Sequence, residues 1–556
     1  MPRHTTKLWL LLIPIAMVQV SLAQPSIDSG AVLNVSAAQT TLAPNVVFVV
    51  YGKNLGPSAI VVATAPNYPT VLANTSVTFT PVGGGTAINA LMVYTLVNAV
   101  AGVLPSSTPP GTYAVRVSYN GQTSNAQNAT VVARHFGIAT ANGAGTGVAQ
   151  ATIANVNGGY SLSRYTASGA GGVGNFVNTP AHGGDSISLW GTGGGADTAN
   201  DTGGSSGDQT AAGNFKVTVG SRVITPVYTG AVTGYPGLWV LIFTLPSDID
   251  PDCYAPLQVS SNGERSNAPI LPIAAPGQSV CFDPQLTPGI LSKLDSGGSI
   301  IGGTFGITKI RLNSTSSSSE TASGAVFRWS AAEWAAGATS RPRIGGCSVY
   351  DRTYAQNATD PANPDANLDA GSSLPLSGPN LVAGAALGTF SLPNGPFYSL
   401  TLSPGTLASG KYTLTGNGGS QVGPFAVSAN FPASFVATNF DSITTVSRSQ
   451  PLVLNWTSSG ADLVYILVST ATLSAGSNHI VTISCIVPAA PGTFSVPVSL
   501  LSQLQPASTT GTSFGSLSVE GTSNPNSFTA NLVSGGQLDF GTFSPNIGVS
   551  KNVAVQ

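Results

Sequence analysis

Apolar and polar positions alternate with a period of two through most of the chain. Tyr113-Ala-Val-Arg-Val-Ser-Tyr119, Phe215-Lys-Val-Thr-Val219, Leu452-Val-Leu-Asn-Trp456 and Leu517-Ser-Val519 show the pattern. Each run is rich in β-branched or aromatic residues and bounded by Gly, Pro or Asn, which predicts strands with one face toward a core. Asn120-Gly121 and Asn262-Gly263 supply the two positive-φ residues of a type I′ hairpin turn. Helical periodicity is confined to Ser330 to Ala336, where Ser330 and Glu333 are spaced for a capping box and Gly337 is placed to end the helix. The pattern predicts an all-β protein of tandem immunoglobulin-like sandwiches with one short helix in its third region.

The early part of the chain is written twice, about 141 residues apart. Asn45-Val-Val-Phe-Val-Val-Tyr51-Gly52 returns as Gly184-Asp-Ser-Ile-Ser-Leu-Trp190-Gly191, Leu104-Pro105 as Leu245-Pro246, and Tyr113 as Tyr254. Asn120-Gly-x-x-Ser-Asn125 returns as Asn262-Gly-x-x-Ser-Asn267. The order and spacing predict two copies of one module, at 24–134 and 135–283. A β-rich region with long loops is expected at 284–430 and a further sandwich at 431–556.

Ahead of the first copy, Arg3 and Lys7 precede an apolar run from Leu8 to Val20 and the small-residue site Ser21-Leu22-Ala23. This reads as a signal peptide over 1–23, with Gln24 as the new N-terminus and no cysteine there for a lipid anchor. No later apolar run reaches membrane-spanning length. The expectation is a secreted protein, extracellular or at the cell surface.

Charged residues make up 7% of the chain, against about 25% in ordinary soluble proteins. Without Arg3 and Lys7, 17 basic residues face 21 acidic ones, a net charge of −4. That balance excludes an electrostatic footprint for nucleic acid. The hydrophobic content of 42% argues against disorder. The four cysteines suit an oxidising compartment. Cys253 and Cys281 are expected to pair, while Cys347 and Cys485 read equally as buried thiols, since four cysteines permit three pairings.

Val-Val-Tyr-Gly-Lys-Asn-Leu-Gly-Pro at 49–57, Ser-Leu-Trp-Gly-Thr-Gly at 188–193, and Pro-Gly-Thr-Tyr-Ala-Val-Arg-Val at 110–117 with its Asn-Gly turn carry a resemblance. They resemble IPT/TIG-like immunoglobulin modules, and more narrowly the tandem module of secreted, uncharacterised acidobacterial (Solibacter-type) proteins. The resemblance covers about residues 24–283, and its second copy departs from it where Gly193-Gly194-Gly195 replaces Asn54-Leu55-Gly56. It implies an extracellular sandwich array and brings no catalytic residue with it.

Candidate chemistry is sparse. Gly203-Gly-Ser205-Ser-Gly207 and Gly511-Thr-Ser513-Phe-Gly515 match the nucleophile-elbow spacing but lack the strand-turn-helix context that exposes such a serine. Only His135, His182 and His479 remain after the signal peptide to act as bases. Four glutamates and 17 aspartates form no obvious acid–base pair for glycoside cleavage. Asp365, Asn367 and Asp369, followed by Gly371, alternate oxygen ligands as calcium prefers, though Asx turns explain the same spacing. Asp197, Asp201 and Asp208, and Asp248 to Asp252, are looser versions. Apart from calcium no cofactor is expected. Trp190, Trp239 and Trp456 read as core residues, whereas Trp329, Trp334 and Tyr235 are the aromatic residues whose exposure would favour glycan binding.

These features predict a non-enzymatic adhesion, structural, matrix or surface-display protein whose partner is a cell-surface or extracellular polymer, protein or glycan, with self-association as a further expectation. A carbohydrate-binding accessory protein is the alternative reading, and a secreted hydrolase the third.

Overall fold

A computed structural model describes residues 24–556 apart from 156–157, 168–175, 221, 284–285, 313–317, 338–341, 343, 356–363 and 475–476. The expected signal peptide lies outside the described residues, as do parts of two of the long loops expected in the third region, at 313–317 and 356–363.

The chain is all-β. In the first module, a five-stranded sheet runs in the order Ser26–Asn34, Val47–Lys53, Ala99–Val103, Leu91–Leu96, Val61–Val62. It faces a second sheet centred on Gly111–Tyr119 and Thr75–Pro81 across a core of Phe48, Val50, Phe79, Val100, Val115 and Val117. The Tyr113 hydroxyl donates to the Pro109 carbonyl at 2.7 Å, the tyrosine-corner bond of immunoglobulin-like sandwiches. The second module repeats the plan. Ser186–Thr192 and Trp239–Thr244 lie at the centre of one sheet, Lys216–Val219 and Asp252–Ser261 in the other, around Ile187, Leu189, Phe215, Val217, Trp239 and Leu257. Asn120 and Gly121 have φ of 47° and 79°, and Asn262 and Gly263 have 50° and 91°, so both Asn-Gly pairs form tight hairpins from the same backbone geometry.

Beyond residue 283 the organisation differs from the expected pair of separate domains. A 15-stranded sheet runs through both regions. Its Ile300–Leu312 strand pairs in parallel with Phe540–Val555, the last strand, from Gly302↔Phe540 to Leu312↔Ser550. Gly346–Ala355 pairs with Ser477–Pro488. The boundary at 430/431 is therefore crossed in both directions. Two cores do exist, but Val349 belongs to the one built mainly from 435–555, and Ala530, Leu538 and Phe543 to the one built mainly from 305–431. The 16-residue final strand is long enough to serve both.

The short helix Ala331–Ala336 carries a reciprocal capping box: Glu333 N–H donates to Ser330 Oγ at 3.2 Å, and Ser330 N–H to Glu333 Oε2 at 2.7 Å. Trp334 is buried against Trp329 and Phe540. An additional helix, Pro288–Asp295, precedes the sheet; Thr287 caps it and Leu291 and Leu294 are buried. With Trp334, Cys253 and Cys281 these leucines form one apolar cluster, so the second module and the long sheet share a packed joint.

Candidate binding surface

Strand Val47–Lys53 sends Phe48 and Val50 into the first core, so period two directs Val47, Val49 and Tyr51 away from it. Cross-strand register sets Leu33 beside Val49, Val49 beside Ala101, Ala101 beside Tyr94, and Tyr94 beside Val62. A row of apolar or aromatic side chains thus crosses all five strands on the face turned away from the core. Tyr51, Ala99 and Leu96 make the adjoining row. Val49, Ala99 and Ala101 form a cluster of their own with Leu33, Val93 and Tyr94, separate from the sandwich interior. An antiparallel sheet with a solvated face normally carries polar residues there. A contiguous apolar face on a sheet marks a contact surface.

The relief of this face follows from residue size. Ala99 and Ala101 on the central strand are 7% and 0% exposed, while Tyr51 on one neighbouring strand is 45% exposed and Val62 on the edge 61%. The alanines lie covered beneath their larger neighbours, so the accessible part of the face is Tyr51 and the edge residue Val62. Burial, and then the neighbouring Tyr51 phenol, raise the Tyr94 pKa above the ordinary phenol value.

The second module covers one end of this face, over Val47 and Val103. Its turn Val232 to Leu238 rests on the outer face so closely that a Cβ on Gly237 would meet the Val47 and Val103 side chains. Tyr235 stands out of this turn at 56% exposure, and the Tyr68 phenol of the first module has its pKa raised by burial and then by Tyr235. The seam beneath is polar and tightly bonded. Trp239 Nε1 donates to Asn45 Oδ1 at 2.8 Å, and Asn45 Nδ2 to Asp201 Oδ1 at 3.3 Å. Asp201 also accepts from the Ser106 amide at 2.9 Å and the Ser106 hydroxyl at 2.8 Å. Val47 N–H donates to Thr192 Oγ1, which in turn donates to the Gly237 carbonyl at 2.6 Å. Pairing of buried polar groups is expensive to break one partner at a time, so this network fixes the angle between the modules.

The residues singled out in the sequence fall elsewhere. Asp365 pairs with Arg328 Nε at 3.2 Å, and the buried Asn367 accepts from Asn394 Nδ2 at 3.3 Å. Asp369 accepts from the Gly371 amide and from the Ser420 amide and hydroxyl, at 2.9, 2.8 and 2.7 Å. The Ser420 hydroxyl, with these amides, holds the Asp369 carboxyl below its ordinary pKa. Each of the three is thus spent on a different partner, and Asp369 with Gly371 makes the Asx turn that competes with the calcium reading. Asp197 and Asp208 likewise accept from Ser206, Thr210 and Thr229 in their own loop region, while Asp201 joins the modules. Among the described residues, no group of three or more His, Cys, Asp or Glu side chains is arranged for a metal.

Both disulfides are formed, Cys253–Cys281 and Cys347–Cys485, the second between directly opposed residues of adjacent strands. The histidines are engaged by Gln39 and Glu264 (His135), Asp185 and the Gln278 carbonyl (His182), and Asp351 (His479). Ser205 accepts from the Gly207 amide within an irregular loop. Of the glutamates, Glu320 fixes the 405–407 turn through two amides, and Glu520 is held largely out of water with its pKa raised by that burial. Trp239 and Trp456 are buried as expected, but Trp190 is not a core residue: it faces outward from its sheet, half-buried, with its indole donating to Thr152 at 3.2 Å. It stands in the second module where Tyr51 stands in the first. A shallow cleft of about 650 Å³ lies beside Gln24, Pro25, Arg116 and Asn125, but its polar groups are already engaged: Asn125 bonds both main-chain groups of Ile27 and Arg116 bonds the Ser124 carbonyl.

No family model and no curated protein matches the chain. Among solved structures, it is similar to SGBP-B from a complex xyloglucan utilization locus in Bacteroides uniformis, at 9% identity and a TM-score of 0.16, covering 69% of this chain and 88% of that one. It is also similar to a Bacteroides ovatus mixed-linkage glucan utilization locus SGBP-B in complex with a mixed-linkage heptasaccharide, at 11% identity and 0.13, covering 86% and 96%. The immunoglobulin domains 1–4 of Sidekick-1 match at 11% identity and 0.12, covering 89% and 94%.

Proposed function

We propose that this is a non-enzymatic protein of the extracellular space or cell surface that works by display, holding a binding face at a fixed angle on a rigid string of sandwiches. The observation that carries the reading is the apolar outer face of the first module, where Leu33, Val49, Ala101, Tyr94 and Val62 stand in one row on the side of the sheet away from its core. The two disulfides support an oxidising location. Among the described residues no helix is long and apolar enough to cross a membrane. The IPT/TIG-like character of 24–283 is part of the same proposal, supported by the duplicated sandwiches and their paired Asn-Gly hairpins.

The engaged histidines and aspartates argue for binding over catalysis, because a nucleophile or general base needs a partner arranged toward a substrate. The test is to screen the mature chain against immobilised polysaccharides and extracellular proteins, with its own mass in solution measured by light scattering, alongside the double variant Tyr51→Ser, Val62→Ser. The reading expects at least one interaction that the variant loses while keeping its thermal midpoint. Interactions identical in the two proteins would sink the outer face as the working surface. Turnover of a screened polymer would contradict the non-enzymatic assignment.

A further inference from the structure

We infer that the short strand Val61–Val62, at the edge of the first module, is a pairing site for a second copy of this chain, the two edges joining antiparallel about a two-fold axis. The inference concerns the rim of the sheet and is independent of what the outer face binds.

The edge is open. Val61–Val62 is the last strand of the five-stranded sheet and pairs on one side, Val61 with Thr95 and Val62 with Tyr94. The Ala63 N–H donates to the Val93 carbonyl on that same side at 2.8 Å. Main-chain groups alternate in direction along an antiparallel strand, so those of Ile60 and Val62 point away from the sheet. Their side chains are 57% and 61% exposed.

Open edges are normally defended by charge, and this one is not. Neither a charged residue nor a histidine occurs between Lys53 and Arg116. Elsewhere charge is present: Asp28 on the opposite edge strand of this sheet, Arg222 on an edge of the second module, Asp351 and Arg352 on an edge of the long sheet. Lys53 shares the outer face with Val62 but lies three strands away, about 14 Å at the usual strand spacing. Ala59-Ile-Val-Val-Ala63 is apolar, uncharged and rich in β-branched residues, the composition of segments that stack on copies of themselves.

The occupant follows from symmetry. An uncharged strand with open N–H and C=O groups is complementary to itself, and a two-fold operation supplies the matching edge at the protein's own concentration. Setting Ile60 opposite Val62 of the second copy gives about four main-chain hydrogen bonds and packs the branched side chains as cross-strand pairs. Pro57 and Pro66 bound the stretch and stop the pairing from lengthening. The pairing uses up the edge in both copies, so the assembly closes at two. Because an antiparallel neighbour is reached by rotation within the sheet plane, the axis stands perpendicular to the sheet. Both outer faces, each with its Tyr51, then lie on one side of a continuous sheet. The contact is small, which puts the equilibrium in the weak, concentration-dependent class.

The experiment is sedimentation velocity of the mature chain, without ligand, over a wide range of concentration. Wild type is run beside Val62→Lys, Val62→Pro, Tyr51→Ser and Val533→Lys, each checked for an unchanged thermal midpoint. Lysine brings in the charge by which natural edges stay apart. Proline removes the outward N–H and spares the bonds to Leu91–Leu96, as an edge position permits. Val533, 65% exposed on a loop of the last region, is the control for general apolar contact. The expected result is a reversible monomer–dimer equilibrium whose dissociation constant rises about tenfold or more in both Val62 variants and stays unchanged in the other two. A wild type that remains monomeric at the highest concentration would overturn the inference, and so would a dimer that both Val62 variants keep or an assembly that grows beyond two. Loss of the dimer in Tyr51→Ser would move the contact onto the outer face and overturn the edge; loss in Val533→Lys would make it a general apolar contact. With no ligand present, a monomeric result leaves the outer face standing as a surface for another partner.

Discussion

The two copies of the duplicated module share a frame and differ on one face. In the first, the row across the outer sheet is Leu33, Val49, Ala101, Tyr94 and Val62; in the second, the corresponding strands set Thr152 beside Ser188 and Ser188 beside Ile242. Tyr51 stands free at 45% exposure, whereas its counterpart Trp190 is tied to Thr152 by its indole N–H. The second face mixes these hydroxyl residues with Ile242, Tyr228, Trp190 and Val240, so it is part polar where the row across the first is apolar throughout. On the first face Val49, Ala99 and Ala101 are covered by their neighbours, and Tyr51 and Val62 are its exposed members. Duplication preserved the fold in both copies and left the face chemistry to diverge, so function here is carried by a site on the sandwich and not by the sandwich.

The largest expected effect separates the copies at their cores. Trp239 is fully buried and also supplies the indole that reaches Asn45, so Trp239→Ala should cost about 3–5 kcal/mol. In denaturant this should appear as early loss of the second module while the first keeps its own transition. Next comes the second module's disulfide, which has no counterpart in the first. Replacing Cys253 and Cys281 by serine should cost about 3–4 kcal/mol on the loop-entropy estimate, read as a lower midpoint with no change in binding.

Asp201→Ala tests the joint. It strands the Ser106 amide and the Asn45 side-chain amide, while the Ser106 hydroxyl keeps the Asp197 carbonyl as its acceptor, at about 1–3 kcal/mol. A single concerted transition of the paired modules should split into two. If it does not, the network is not what couples them. The pH dependence is smaller. Asp208 and Asp369 have folded pKa values below their ordinary ones, because Thr210 and Ser420 respectively donate to the ionised form. A depressed carboxylate contributes stability that is present above the unfolded pKa and lost as pH falls through the folded one. The thermal midpoint should therefore fall on the acid side of the ordinary carboxylate range, and Asp369→Asn should flatten part of that fall.

Much of the fold was legible because its signals are local. The Asn-Gly turns, the Ser330/Glu333 capping box and the tandem copies each sit within a short stretch of chain, where φ preference and hydrogen bonding decide the outcome. The interleaving beyond residue 283 was not. Parallel pairing of Gly302 with Phe540 joins residues far apart in sequence, and no local pattern encodes which long strand finds which. The outer face was illegible for a different reason. Val46-Val-Phe-Val-Val-Tyr51 is apolar at every position, so period two cannot show which half of it faces water. Trp190 was misread as core from the same motif, since a strand-ending aromatic residue is assigned to a face only by its register with Val240. The helix Pro288–Asp295 is short and begins Pro-Gly, and its apolar stripe amounts to two leucines.

The central claim is that the first module's outer face is the working surface and the second module's is not. The direct measurement is the affinity of Tyr51→Ala against that of Trp190→Ala for a polymer or protein that the mature chain binds in the screen, with both variants shown to be folded. The account predicts about a tenfold loss for Tyr51→Ala and a value within about twofold of wild type for Trp190→Ala. Equal losses, or a loss confined to Trp190→Ala, would contradict it.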